Sequence, residues 1–269
     1  MCIRDRIGAT RGLNVAPRRM ALWSAVAKYA VPGLCIDALQ ACGEVLSARA
    51  YLREAVAGGV FQKIMRDAAI TPVFEGTQLV QLETIRAQLA SGQRGGTVSE
   101  AIDLDDLFAV GTPVPPWSPQ TNRPSITYGG SDEIVDLLET ALADLPVEIE
   151  ELARPLIAVR DSVRAGLQVH GRDRSQAAYD AARRHALVHA AACCLHLWSR
   201  RDRLSPFASD PAWLSVALRR ILTRLELPVE RDLAAEQRLV GHLMALDDDD
   251  RAFSLIPTAL ATQFRETTP

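Results

Sequence analysis

Apolar residues recur at intervals of three and four along most of the chain, with Ala, Leu, Arg and Glu abundant and little glycine or proline within segments. That spacing puts the apolar side chains on one face of a helix of 3.6 residues per turn, so an all-α protein is expected. The first helical stretch runs from about Arg18 to Leu46, with Leu22, Val26 and Tyr29 on one stripe. Pro32 falls inside it and is expected to kink or break it, because proline removes a backbone donor. A short helix follows at about 55–68 and another at about 77–91. Four more are expected, from Ser131 to about Gln168, Asp173 to Ser199, Pro211 to Leu225 and Val229 to Ala245.

The segment 92–129 breaks the pattern. It opens with Ser-Gly-Gln-Arg-Gly-Gly and carries five prolines between positions 113 and 124, which forbid a regular helix. The organisation expected is therefore one helical bundle over 7–91, a Pro/Gly-rich linker over 92–129 and a second helical bundle over 130–269. The first six residues, MCIRDR, are what a DNA string resembling the transposase end used in sequencing libraries would encode. Residues 1–6 are expected to be an adaptor artefact, and the rest a C-terminal fragment of a longer protein.

With 48% hydrophobic residues in a chain of 269, there is ample material for a core. The net charge of −3 gives no electrostatic case for nucleic acid, and the Arg pairs at 183–184, 200–201 and 219–220 read as solvated helix faces. No run approaches a membrane span of about 20 apolar residues, and a cytoplasmic location is expected. The five cysteines lack paired zinc spacing, so free thiols are expected.

Within HALVHAAACCLH, residues 185–196, His185, His189 and Cys193 fall at i, i+4 and i+8 on one helical face, and His196 lies nearby. Imidazole and thiolate both bind zinc. However, three ligands from one straight helix span about 12 Å at 1.5 Å per residue. Small neighbours argue instead for a closely packed helix, and no metal is expected. Asp247–Asp250 lacks the alternating ligands and glycine of a calcium loop and reads as a solvated turn at a helix end.

Glu75 stands apart. It follows the apolar run Ile70-Thr71-Pro72-Val73-Phe74 and precedes Gly76, between two helices. A carboxylate beside apolar neighbours loses hydration, which suits it to accept a proton; a helix-capping or ion-paired glutamate is the alternative.

Arg66-Asp67, Ile70 and Phe74-Glu75-Gly76-Thr77, preceded by AVAKYA and DALQACGEVLSARAYLRE, resemble the acyl-CoA dehydrogenase family in its C-terminal helical domain. The likeness covers roughly residues 8 to 90. It implies FAD as cofactor, an acyl-CoA substrate, an electron-transfer flavoprotein as partner and a homo-oligomer. It also implies that Glu75 is the catalytic base removing the α-proton of the thioester while the β-hydrogen leaves as hydride. Gly76 and Thr77 take the positions that face the flavin. Glu44, Ser47 and Ala48 stand where family members often carry Gln and Gly-Gly against the adenine end of the FAD of a neighbouring subunit, and Ala50 replaces a further glycine. About four extra residues lie within 55–61. The segment 130–269 is similar, in position and helical content, to the extension of long-chain members. An acyl-CoA oxidase would share the base; a helical interaction module without catalysis is a further alternative. For the fragment, a face carrying Leu22 and Val26 is expected to lie exposed.

Overall fold

The computed structural model describes residues 2–54, 56–91, 102–118, 131–143, 145–170, 173–201, 205–255 and 259–260. Side chains are described from residue 8 onward. Among these residues the secondary structure is helical, apart from one isolated bridge between Arg251 and Ala259.

The helices are α1 (Cys2–Val15), α2 (Met20–Leu46), α3 (Val60–Ile70), α4 (Gln78–Ser91), α5 (Leu104–Phe108), α6 (Glu133–Asp136), α7 (Val147–Ala153), α8 (Pro155–His170), α9 (Gln176–Trp198), α10 (Pro206–Ser209), α11 (Ala212–Arg224) and α12 (Leu233–Asp248). Several expectations need correction. Pro32 does not break α2, which is continuous through it and buries its ring. The stretch 131–168 is cut into α6, a 3-10 turn at Leu138–Ala141, α7 and α8. Pro146 stands in front of α7 and Pro155 opens α8, the positions where a missing N–H costs least. Helix α3 starts late because Gly58 and Gly59 have φ of 58° and 88° and cannot belong to an α-helix.

Three helices, α1, α5 and the four-residue α10, were not anticipated. Helix α1 packs on α2, α5 and α9, and α5 lies within the proline-rich segment. Asp103 caps α5 by accepting from the Asp105 amide at 2.8 Å, and Leu104, Leu107 and Phe108 are buried. This part of the segment is held against α1: Arg11 Nε donates to the Asp106 carbonyl at 2.9 Å and Asn14 Nδ2 to the Pro115 carbonyl at 2.7 Å. The start of the linker at 92–101 and residues 119–130 lie outside the described residues.

Helix α9 is the centre of the molecule. From Ala186 to Trp198 every residue is buried, which requires apolar neighbours on all sides. It packs against α1, α2, α4, α8 and α11. The small side chains Ala182, Ala186, Ala190, Ala191 and Ala192 let those helices approach closely. A single apolar cluster therefore joins Leu22, Trp23 and Ile85 to Leu195, Leu214 and Ile221. The helices on the two sides of 92–129 share one core.

Leu22 and Val26, expected on an open face, are 4% and 1% exposed. The stretch Pro17–Tyr51 is also long and apolar enough, by length and composition, to cross a membrane, which a search for uninterrupted apolar runs does not reveal. Much of its apolar surface is spent inside this core.

Polar links fix the packing. Arg220 Nη2 and Arg224 Nη2 reach Asp37 Oδ2 at 2.8 and 2.7 Å, tying α11 to α2. Arg183 pairs with Asp180, and Arg200 Nε with Asp105 at 2.7 Å, so these arginines are engaged in ion pairs and not only solvated. Glu83 on α4 accepts from Arg86 and, at 3.1 Å, from the Tyr179 hydroxyl of α9. The hydrogen bonds from Arg86 hold the Glu83 carboxyl down at about 2. Asp247–Asp250 lies at the end of α12, where it was placed from sequence.

Candidate functional site

The chain leaves α3 at Ile70 in a run of turns and re-enters helix at Gln78. Thr71, at the end of α3, is tied to α2: Lys28 Nζ donates to its carbonyl at 2.7 Å and lies 4.0 Å from the centre of the Phe74 ring. Glu75 then takes φ of 52° and Gly76 φ of 100°. A left-handed backbone is uncommon for a residue with a Cβ, and Glu75 holds it with a side chain that faces solvent. At Gly76 it is the backbone conformation that calls for glycine; an added Cβ would meet only the end of the Gln81 side chain, which can move aside.

Thr77 starts α4. Its carbonyl accepts from the Gln81 amide at 3.1 Å and its hydroxyl from the Val80 amide at 3.4 Å, while Gln81 Nε2 donates to the Gly76 carbonyl at 3.3 Å. The Val80 bond satisfies one of the donors that a helix start otherwise leaves open. The turn thus presents Glu75, Gly76 and Thr77 together.

Glu44, Ser47 and Ala48 sit, exposed, at the C-terminal end of α2 and the 3-10 turn Ser47–Tyr51 that follows. Ser47 adopts φ of 53°. The backbone here keeps a conformation natural to glycine although the residue is serine. Ala50 is buried, and its carbonyl accepts from the Gln62 side chain of α3.

The surface around these two groups is apolar. Val45, Tyr51, Leu52, Val60, Ile64, Ile70, Val73, Phe74, Leu79 and Val80 are all exposed, Val45 and Tyr51 to 87%. Helix α3 is the centre of this patch and contributes no buried residue. So much exposed apolar surface between residues 45 and 80 marks a face made to be covered.

A second constellation is buried between α2 and α9. Asp132, just before α6, accepts from Trp23 Nε1 through Oδ1 at 3.0 Å. Its Oδ2 lies 2.8 Å from His185 Nε2 and 2.8 Å from His189 Nδ1. Burial pushes the Asp132 carboxyl up, but the charges and hydrogen bonds of His189 and His185 outweigh it and leave the group below the usual carboxylate range. Beside it Arg19 and Glu133 form a buried ion pair, and Ser131 Oγ donates to Glu133 at 2.9 Å.

The helical spacing of His185 and His189 was visible in the sequence, but their partner is Asp132 and not Cys193. Cys193 faces α1, close to Gly8. His196 Nε2 donates to the Ile134 carbonyl at 2.9 Å while the ring stacks on Phe108, and burial lowers its imidazole to about 4. Asp132 could not be paired with these histidines from sequence, since 53 residues separate it from His185 and nothing local marks it.

No curated protein and no solved structure matches the chain. Residues 10–90, which hold α2, α3, nearly all of α4 and the turn at Glu75, match the family model described as acyl-CoA dehydrogenase, C-terminal domain, so this part of the chain is similar to that domain.

Proposed function

We propose that residues 10–90 serve as the C-terminal helical domain of an FAD-dependent acyl-CoA dehydrogenase in which Glu75 is the base. The observation that carries this reading is the Glu75-Gly76-Thr77 turn: a carboxylate in a left-handed backbone at the head of α4, flanked by exposed Val73, Phe74, Leu79 and Val80. Covering that patch would place Glu75 against apolar surface and exclude water from it, the setting in which a carboxylate accepts a proton from a weak carbon acid.

Gly76 and Thr77 fit a flavin approaching the start of α4, because the glycine presents bare backbone and the hydroxyl sits among N-terminal amides. Ser47 and Ala48 fit the adenine end through the glycine-like backbone at Ser47; Glu44 brings a carboxylate there. The flavin, when bound, supplies the acceptor for the β-hydride. In this reading Glu75 takes the α-proton of an acyl-CoA thioester onto its carboxylate. Electron-transfer flavoprotein is the proposed oxidant and a homo-oligomer the proposed assembly. Replacement of family glycines at Ser47, Ala48 and Ala50 favours one other reading, a helical module without catalysis.

The test is Glu75→Gln in a protein that joins these residues to the family's flavin-binding parts. Anaerobic flavin reduction by acyl-CoA should slow by about 10²- to 10⁴-fold with acyl-CoA and FAD still bound. An unchanged rate places the base elsewhere. Flavin that acyl-CoA never reduces, even with Glu75 intact, supports the non-catalytic module. Rapid reoxidation by oxygen identifies an oxidase.

A further inference from the structure

The ligating atoms of Asp132, His185 and His189 all lie within 4.8 Å of one another, and none of the three residues takes part in the chemistry assigned to Glu75. We propose that they form a binding site for one divalent first-row transition-metal ion, zinc foremost.

Four features carry the assignment. The first is convergence. An ion about 2.0–2.2 Å from nitrogen and oxygen ligands sets neighbouring ligand atoms roughly 3 to 3.5 Å apart, and Asp132 Oδ2 is already 2.8 Å from each imidazole nitrogen.

The second is orientation. The Trp23 indole N–H holds Oδ1 and leaves Oδ2 to bind an ion through a single oxygen, in the manner of the outer hydrogen bonds that fix metal-binding side chains. His185 and His189 project from adjacent turns of α9, a helix immobilised by its packing. The third is access. Asp132 and His185 line a cleft with Ser131, Asp136, Arg160 and Gln168, which gives an ion a way in and a water a place in its coordination sphere.

The fourth is ligand chemistry. Two neutral imidazoles and one carboxylate suit zinc and its neighbours, whereas magnesium and calcium prefer all-oxygen surroundings. The hydrogen-bonded arrangement is the metal-free form of the same site: the ring nitrogens facing Oδ2 carry protons, and an ion displaces each of them, to the opposite nitrogen of a neutral ring or to water from a charged one. The bound ion would join α9 to the segment before α6, and through Trp23 to α2.

The experiment uses the untagged 269-residue chain, stripped with a chelator and titrated with Zn²⁺ and with Co²⁺. One equivalent should bind with a dissociation constant below about 1 μM, raising Tm, and the cobalt form should show visible d–d absorption. Asp132→Asn and His189→Gln should each abolish that equivalent, and His242→Gln, at a distant histidine paired with Asp210, should leave it intact. Because changes at Asp132 can unfold the chain, NMR of the wild type gives a second readout: Co²⁺ should shift or broaden the ring signals of His185 and His189 and spare those of His170 and His242. Absence of any ion bound at this affinity makes the trio a hydrogen-bonded structural element and overturns the proposal, as does an ion that survives both substitutions in folded protein or perturbs His242 in place of His189.

Discussion

The indole of Trp23 donates to Asp132 at 3.0 Å and so joins α2 to a segment more than a hundred residues away. Trp23 is 1% exposed, and its ring lies 6.4 Å from that of His189, so packing and hydrogen bonding meet at one side chain. Trp23→Phe keeps most of the packing and leaves Oδ1 without its donor. It should cost about 1–3 kcal/mol in denaturant unfolding. Asp132→Ala also strands two imidazoles and should cost about 3–5 kcal/mol. Equal losses for the two variants would show that the histidines add nothing.

Stability should fall as the solution is acidified below neutrality. In the unfolded chain His196 takes up a proton near 6.5, but in the fold not until about 4. Between those values the unfolded state binds more protons, so stability drops with falling pH, by about 3 kcal/mol in all at 1.36 kcal/mol per unit. Asp132 acts lower: its folded carboxyl is depressed, so its contribution is present above the ordinary value of 3.8 and is lost as pH falls below it. Unfolding free energy measured from pH 7 to 4 should show the first slope. His196→Gln, whose amide can still donate to Ile134, should flatten it.

Gly76→Ala should weaken the start of α4. The substitution places a Cβ on a backbone with φ of 100°, at a cost of about 1–2 kcal/mol. Global stability should fall by less than this wherever the exposed residues at this end of α4 open locally and relieve the strain. Hydrogen exchange should reveal the change as faster exchange of the Val80 and Gln81 amides. Uniform acceleration along α4 would show that the turn is not locally strained.

The apolar face around α3 should be detectable on the 269-residue chain. Hydrophobic dye should bind, and FAD affinity and dehydrogenase turnover should be negligible. Val73→Ser with Leu79→Ser should lower dye binding without loss of stability, since both side chains are exposed. A chain that retains one equivalent of FAD on purification contradicts this account.

Periodicity revealed α2, α4, α9, α11 and α12 because each carries apolar residues at helical spacing over several turns. It missed α5, five residues whose helicity depends on the Asp103 cap and on Leu107 and Phe108 finding α1 and α9. It misplaced Leu22 and Val26 because a stripe shows that a face is covered and not by what. The turn at Glu75 was legible from Pro72 and Gly76, which act locally. Asp132 was not, because its role exists only once α2 and α9 have been brought to it from distant parts of the chain.

The continuous core has a consequence for the order in which the chain is made. Helix α2 leaves the ribosome well before α9, which ends at Trp198 and supplies part of its cover. For some 150 residues of synthesis α2 has only its near neighbours to shelter it. Docking of α9 is a long-range event for an all-helical protein, slower than the closing of local helix pairs. Until then the apolar surface that α9 will cover stays exposed, the condition under which incompletely folded chains associate.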